Sequence, residues 1–302
     1  MEKEDIITEI QKLKREKKAI ILAHNYQRHE IQDIADYLGD SLELSLIASK
    51  SDAKIIVFCG VRFMAESAKI LSPEKLILLP REDAGCLLAD MATRDELREF
   101  KAKHPEAYVV SYVNTSAEVK AESDVCCTSA NAVKVVQNVP AKQIIFVPDR
   151  NLADYVQRFT DKEIIAWNGF CYVHDGIEPN IVKKTKDSHP DAKLIVHPEC
   201  KREVIDLADK VTSTGGMVKF ARESDVEKII VGTEEGMIYR LQKENPKKTF
   251  YTIGSARVCR NMKITTLEDV LFALREEKYK IELSDSIMRK AKTALDKMLE
   301  YI

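Results

Sequence analysis

Three cysteines in this 302-residue chain recur at equivalent places: Cys86, Cys171 and Cys259 follow Ser41, Ser129 and Thr214 by 45, 42 and 45 residues. Three thiols brought to one axis could hold a metal. A structural zinc usually takes four protein ligands, often from paired C-x-x-C knuckles, and the chain contains no such pair. Three thiolates on a 4Fe–4S cluster would leave one iron without a cysteine, open to act as a Lewis acid. Cluster, zinc and no metal are the readings this spacing leaves. Cys59, Cys126, Cys127 and Cys200 have no counterparts in register and read as core or incidental residues.

The hydroxyls that set this register belong to a longer repeat. Three segments align without gaps: "HNYQRHEIQDIADYLGDS" from His24, "YVNTSAEVKAESDVCCTS" from Tyr112 and "HPECKREVIDLADKVTST" from His197. Their first position holds His24, Tyr112 and His197, and their third holds Tyr26, Asn114 and Glu199. An aspartate follows in each (Asp36, Asp124, Asp209), and then a hydroxyl: Ser41, Ser129, Thr214. Imidazoles pair anions or relay protons near neutral pH. Glu199, the one carboxylate at the third position, suits proton abstraction beside a carbonyl or imine. His174, three residues past Cys171, would be carried to the same place. His29, His104 and His189 fall outside the pattern and read as solvated or loop residues. The hydroxyls precede helix-like stretches, so they read as N-caps, as an anion site at three helix starts, or as both. The aspartates read as turn residues.

Elements that could position these groups are legible as apolar runs: "AIILA", "KIIVF", "LILLP", "YVVSYV", "QIIFVP", "EIIAW", "KLIVH", "KIIVG" and "TFYTIG". Charged, helix-periodic segments separate many of them, which is the pattern of α/β units with parallel sheets. The repeat therefore predicts three similar α/β units, residues 1–104, 105–189 and 190–302. A repeat can build a solenoid whose units touch only their neighbours. The recurrence of polar residues at strand ends instead predicts closure about a pseudo-threefold axis, where ligand crevices at the carboxyl ends would meet. The last segment, "SDSIMRKAKTALDKMLEYI", reads as an amphipathic helix that docks through Ile287, Ala291, Leu295, Met298 and Ile302.

Composition excludes several classes. A net charge of −2 with mixed signs gives no nucleic-acid footprint. No apolar run approaches the length of a membrane span, and the first residues form a charged amphipathic helix, so the expectation is a cytoplasmic protein. With hydrophobic residues at 45 %, the chain can bury substantial cores.

The motifs together resemble those of the quinolinate synthase family. "ILAHNYQ", "DIADYLGDSLEL", "YVNTSAE", "TSANAV", "PDRNLA", "VHPEC", "STGGM" and "GTEEGM" look like that family's, as do "CYVH" and "CRNMK" around two of the cysteines. The likeness runs from about residue 18 to 280. It implies condensation of iminoaspartate with dihydroxyacetone phosphate to quinolinate in NAD biosynthesis, with loss of phosphate and water. It also implies a 4Fe–4S cluster on Cys86, Cys171 and Cys259 with one open iron. Acid–base and orienting roles fall on His24, Tyr26, Tyr112, Asn114, His197 and Glu199, and substrate contacts on Ser41, Ser129, His174 and Thr214. An aspartate oxidase or dehydrogenase would supply the iminoaspartate. Met262 stands where some members carry a further cysteine, so a C-x-x-C redox switch is not expected. Another cluster-dependent hydro-lyase and a non-catalytic cluster carrier are the alternatives these residues also allow.

Overall fold

The computed structural model describes residues 2–301. Its twelve strands form three four-stranded sheets in which each strand pairs with its neighbours in parallel. The first sheet holds β1 (Ala19–His24), β2 (Tyr37–Gly39), β3 (Ile55–Cys59) and β4 (Leu76–Leu78) in the order β2-β1-β3-β4. The second holds β5 (Tyr108–Tyr112), β6 (Val125–Cys127), β7 (Gln143–Val147) and β8 (Glu163–Ala166), ordered β6-β5-β7-β8. The third repeats the plan with β9 (Lys193–Val196), β10 (Lys210–Val211), β11 (Lys228–Gly232) and β12 (Thr249–Thr252) as β10-β9-β11-β12. In each sheet the chain steps to one side of the first strand and then crosses to the other. The crevice of such a sheet opens at the carboxyl ends beside that switch.

The central strands are apolar throughout because both of their faces are buried. Ile21, Ala23, Ile55 and Val57 face outward onto the helix Lys3–Lys17 and the helix Leu267–Glu276. Their alternates Leu22, Ile56 and Phe58 face inward. There they join Val110, Ile144 and Phe146 of the second sheet and Ile195, Ile229 and Val231 of the third, in one shared core. The three inner faces thus pack on one another, and the ring expected from the repeat is closed.

Each repeat aspartate fastens a short edge strand. Asp36 Oδ2 accepts the Ile21 N–H at 2.7 Å, Asp124 Oδ2 that of Val109 at 2.8 Å, and Asp209 Oδ2 that of Leu194 at 2.8 Å. The aspartate's own N–H donates back to the carbonyl of the same partner in all three units. The turn assignment of these residues is thus given a physical content: each clips β2, β6 or β10 to the strand that carries the site.

The last helix, Asp285–Leu299, buries Ala291, Ala294, Leu295 and Met298, with Ile287 half-buried. Ile302, also assigned to this face, lies outside the described residues. The helix packs on β6 and on the helices Arg62–Leu71 and Ala117–Lys120, so the end of the chain bridges the first two units. Among the described residues no helix is long and apolar enough to cross a membrane.

Removing one clip tests its weight. Asp124→Ala should lower unfolding free energy by about 1–3 kcal/mol, because the buried Val109 N–H loses a charged acceptor. Urea denaturation measures this, with exposed Asp161→Ala as a control expected to stay within about 0.5 kcal/mol.

Candidate active site

A single cavity lies where the three units meet, enclosing about 810 Å³ of space with its open mouth included. His24 and Tyr112 are the last residues of β1 and β5, and His197 directly follows β9. All three line the cavity, as do Tyr26, Asn114 and Glu199 from the third position of the repeat. Ser41, Ser129, Thr214 and His174 complete the polar wall, and Cys86, Cys171 and Cys259 lie on the same surface. Every site residue expected from the sequence is therefore brought to one place.

Backbone geometry fixes two of the imidazoles. His24 Nδ1 accepts the Tyr26 N–H at 3.2 Å, and His197 Nδ1 accepts the Glu199 N–H at 3.4 Å. A neutral ring with an accepting Nδ1 carries its proton on Nε2, so both histidines are donors at that atom. For His197 this directs the Nε2–H toward Ser129 Oγ, 3.2 Å away in the second unit. Burial drives both rings down to a pKa of about 3, against the pull of the Glu199 charge, so they are neutral at physiological pH.

Glu199 is the buried charge of the site, 2 % exposed. Burial alone would raise its pKa. The His174 ring, with Nδ1 at 2.5 Å from Oε2, the adjacent His197 and the Tyr112 phenol outweigh that and hold the carboxyl below its usual range. The His174 and His197 rings stack with centroids 4.5 Å apart. Glu199 Oε1 and Asn114 Oδ1 are buried without a hydrogen-bond partner, so two acceptors among the cavity residues are unsatisfied. Burial pushes the phenols of Tyr26 and Tyr112 well above the usual value, so both are protonated donors.

The three hydroxyls are not the helix caps. Asp40 caps the helix Ser41–Lys50 by accepting from the Leu42 and Glu43 N–H groups, and Ser213 caps Thr214–Glu223 by accepting from Gly216. Ser41 and Thr214 are consequently the first helical residues, with their hydroxyls released from capping, while Ser129 sits in the turn that Thr128 and Asn131 close at 2.8 Å. The capping reading of Ser41 and Thr214 is corrected to Asp40 and Ser213, and the helix Ala132–Asn138 beyond Ser129 has Asn131 at its cap position without a side-chain cap bond. Thr214 Oγ1 accepts from Asn25 Nδ2 at 2.9 Å, tying the first unit to the third. Gly215 allows the close approach there: a Cβ would fall 2.7 Å from Asp40 Oδ2.

Each cavity cysteine stands just before a short helical turn. Backbone N–H groups of Leu88 and Ala89 face the Cys86 sulfur, that of His174 faces Cys171, and those of Asn261 and Met262 face Cys259. Burial pushes the Cys86 thiol up to about 12 and raises the other two, so bare thiols stay protonated and a bound metal would have to displace the protons. Among the described residues the group able to close on a single ion is Cys171, His174 and Glu199, with ligand atoms within 4.8 Å of one another. The three sulfurs do not close that far, whereas tetrahedral zinc at 2.3 Å would set them about 3.8 Å apart. The donor set fits a polynuclear group better than a single zinc.

The sequence model described as Quinolinate synthetase A protein matches residues 8–300. The chain belongs to the quinolinate synthetase A family. It is 55 % identical over 297 residues to the quinolinate synthase of Thermodesulfovibrio yellowstonii, covering 98 % of each chain. It is 53 % identical over 299 residues to that of Geobacter sp. strain M21, covering 99 % of this chain and 98 % of the other. With the quinolinate synthase of Dehalococcoides mccartyi strain CBDB1 it shares 54 % over 302 residues, the full length of both.

In this member of the quinolinate synthetase A family one polar residue of the site escaped the sequence reading. Thr233 Oγ1 lies 2.8 Å from His174 Nε2 and hydrogen-bonds the Tyr26 phenol, joining the first unit to the second through the third. Its signal was faint: it follows β11 in register with Gly60 and Pro148, neither of which has a hydroxyl.

The buried histidines make a pH prediction. Each has a folded pKa below its unfolded value, so the unfolded chain binds more protons as pH falls from about 6.5 toward 3, and stability declines across that window. The rings of His24 and His197 should stay neutral from about pH 8 to 5, read from their NMR resonances.

Proposed function

We propose that this chain is a quinolinate synthase that condenses iminoaspartate with dihydroxyacetone phosphate, releasing phosphate and water, in the cytoplasmic synthesis of NAD. The observation that carries this reading is the single cavity lined by the family's functional residue types from all three units. The kinship with proteins of that name along the whole chain supports it. The three units are taken to run over 1–104, 105–189 and 190–302, and an aspartate oxidase or dehydrogenase is the source of the unstable imine.

Cys86, Cys171 and Cys259 would hold a 4Fe–4S cluster, which when bound supplies a Lewis-acid iron that no cysteine occupies. The convergence of the three thiols on one cavity wall and the N–H groups aimed at them support that assignment.

The remaining chemistry belongs to the side chains. Both substrates are anions, and a chain of net charge −2 has no general attraction for them, so local donors must bind them. The hydroxyls of Ser41, Ser129 and Thr214 and the helix starts beside them take the carboxylate and phosphate oxygens. Neutral His24 and His197 add Nε2–H donors, His174 adds a further contact, and Asn114 and Tyr112 orient the carbon skeleton. Forming the aromatic ring requires removal of a proton and departure of water. Glu199, ionised at neutral pH with Oε1 unpartnered, takes the proton, and the protonated Tyr26 phenol lines the same cavity as a donor.

Two measurements test this. Protein purified without oxygen should contain about four irons and four acid-labile sulfides per chain; stoichiometric zinc without sulfide would refute the cluster. Glu199→Gln should keep that content while quinolinate formation falls about a hundredfold or more. Full activity in the variant would remove Glu199 from proton transfer.

A further inference from the structure

All three cysteine loops are tied to the end of the third strand of their unit by one backbone hydrogen bond, two residues before the cysteine. The Ala84 carbonyl accepts from Arg62, Gly169 from Arg150 and Arg257 from Glu235, at 2.8, 2.8 and 2.9 Å. Two of the loops carry a second tie. Asp149 Oδ2 accepts the N–H of Cys171 at 3.1 Å, and Glu234 Oε1 accepts the N–H of Cys259 at 3.0 Å.

These carboxylates occupy the same place in their repeats, five residues past Ile144 and Ile229, and both are wholly buried. Each is anchored by its second oxygen. Asp149 Oδ1 accepts the Leu152 N–H at 2.8 Å, and Glu234 Oε2 accepts the Gly236 N–H at 2.7 Å and Lys263 Nζ at 3.1 Å. The corresponding residue of the first unit, five past Ile56, is Val61. Among the described residues no side chain accepts the N–H of Cys86.

The cysteine loops are also linked to each other. The Tyr172 phenol, next to Cys171, accepts the Arg260 N–H at 2.9 Å beside Cys259, and Asn261 Nδ2 donates to the Gly85 carbonyl at 2.8 Å beside Cys86.

We propose that Asp149 and Glu234 are positioning residues that hold Cys171 and Cys259 ready for the cluster, and that Cys86, without such a carboxylate, is the ligand that binds last and releases first. This rests on the cluster reading above. A buried, doubly anchored carboxyl oxygen that accepts the N–H of a ligand residue fixes its backbone torsions, and with them the direction of the sulfur, before any metal arrives. Partners behind a ligand commonly change metal affinity by about 10–100-fold. Two fixed thiols and one freer thiol give a socket that can open on one side without dismantling the other two.

The test uses the full-length protein loaded anaerobically, challenged with a ferrous chelator in the presence of iodoacetamide. Iron release is followed optically, and alkylation of each cysteine by mass spectrometry. In the natural chain Cys86 should be alkylated before Cys171 and Cys259. In Asp149→Asn, Cys171 should join the early phase, and in Glu234→Gln, Cys259 should, with iron lost about tenfold faster in both.

If either variant fails to fold by circular dichroism, Asp149→Glu and Glu234→Asp keep the carboxyl group but displace the oxygen, and should show the same site-specific change. Full iron and sulfide with the natural alkylation order and release rate in the variants overturns the positioning role and leaves the cluster reading standing. Simultaneous alkylation of all three cysteines in the natural chain overturns the order of release. Absence of iron and sulfide from the natural chain overturns the cluster reading, and the proposal with it.

Discussion

Parallel pairing puts the carboxyl ends of all strands in a sheet on one rim, and everything else in this molecule depends on three such rims facing one another. A parallel strand needs a crossover to return, so each sheet comes with helices that cover its outer face. The inner faces are left to find other cover. Leu22, Val110 and Ile195 and their neighbours find it in each other, in one core shared by three sheets. Once those faces are packed together, the residues that end β1 and β5 and that follow β9 have no direction to take except toward the common cavity.

The cavity then imposes its own electrostatics. Burial is unfavourable to every ionised group in it, and the groups resolve this differently. His24 and His197 stay neutral and use a backbone N–H to choose their tautomer. The phenols keep their protons. Glu199 alone among these residues remains ionised against its burial, because the His174 ring and the Tyr112 phenol lie against it. A site with donors on most sides and one carboxylate is suited to anionic substrates from which a proton is removed at one defined point.

Much of this was legible from residues alone, for a physical reason. The central strands β1, β3, β5, β7, β9 and β11 are buried on both faces and so read as unbroken apolar runs. The edge strands on the other side, β4, β8 and β12, were read as well, whereas β2, β6 and β10 escaped, because two or three residues such as Lys210 and Val211 cannot display a period. They exist through the aspartate clips, which depend on where a chain has already folded. The site residues stood out by repetition. Thr233, Asp149 and Glu234 did not, since a residue that serves one or two units leaves no threefold trace. The helix caps were misplaced by one residue or more for a similar reason: Asp40 and Ser213 adjoin the repeated hydroxyls, and only the backbone angle shows which of two adjacent polar residues closes the helix.

The third position of the repeat carries a consequence of a different kind. A socket with true threefold symmetry would accept any guest in three equivalent rotations, only one of which could place a given carbon beside the base. The aspartate clips are the same in all three units, so the frame by itself cannot tell these rotations apart. Tyr26, Asn114 and Glu199 can, because a phenol, an amide and a carboxylate each reject what the others accept. The fold repeats itself to build the chamber, and three unlike side chains at one repeated position give the chamber an orientation.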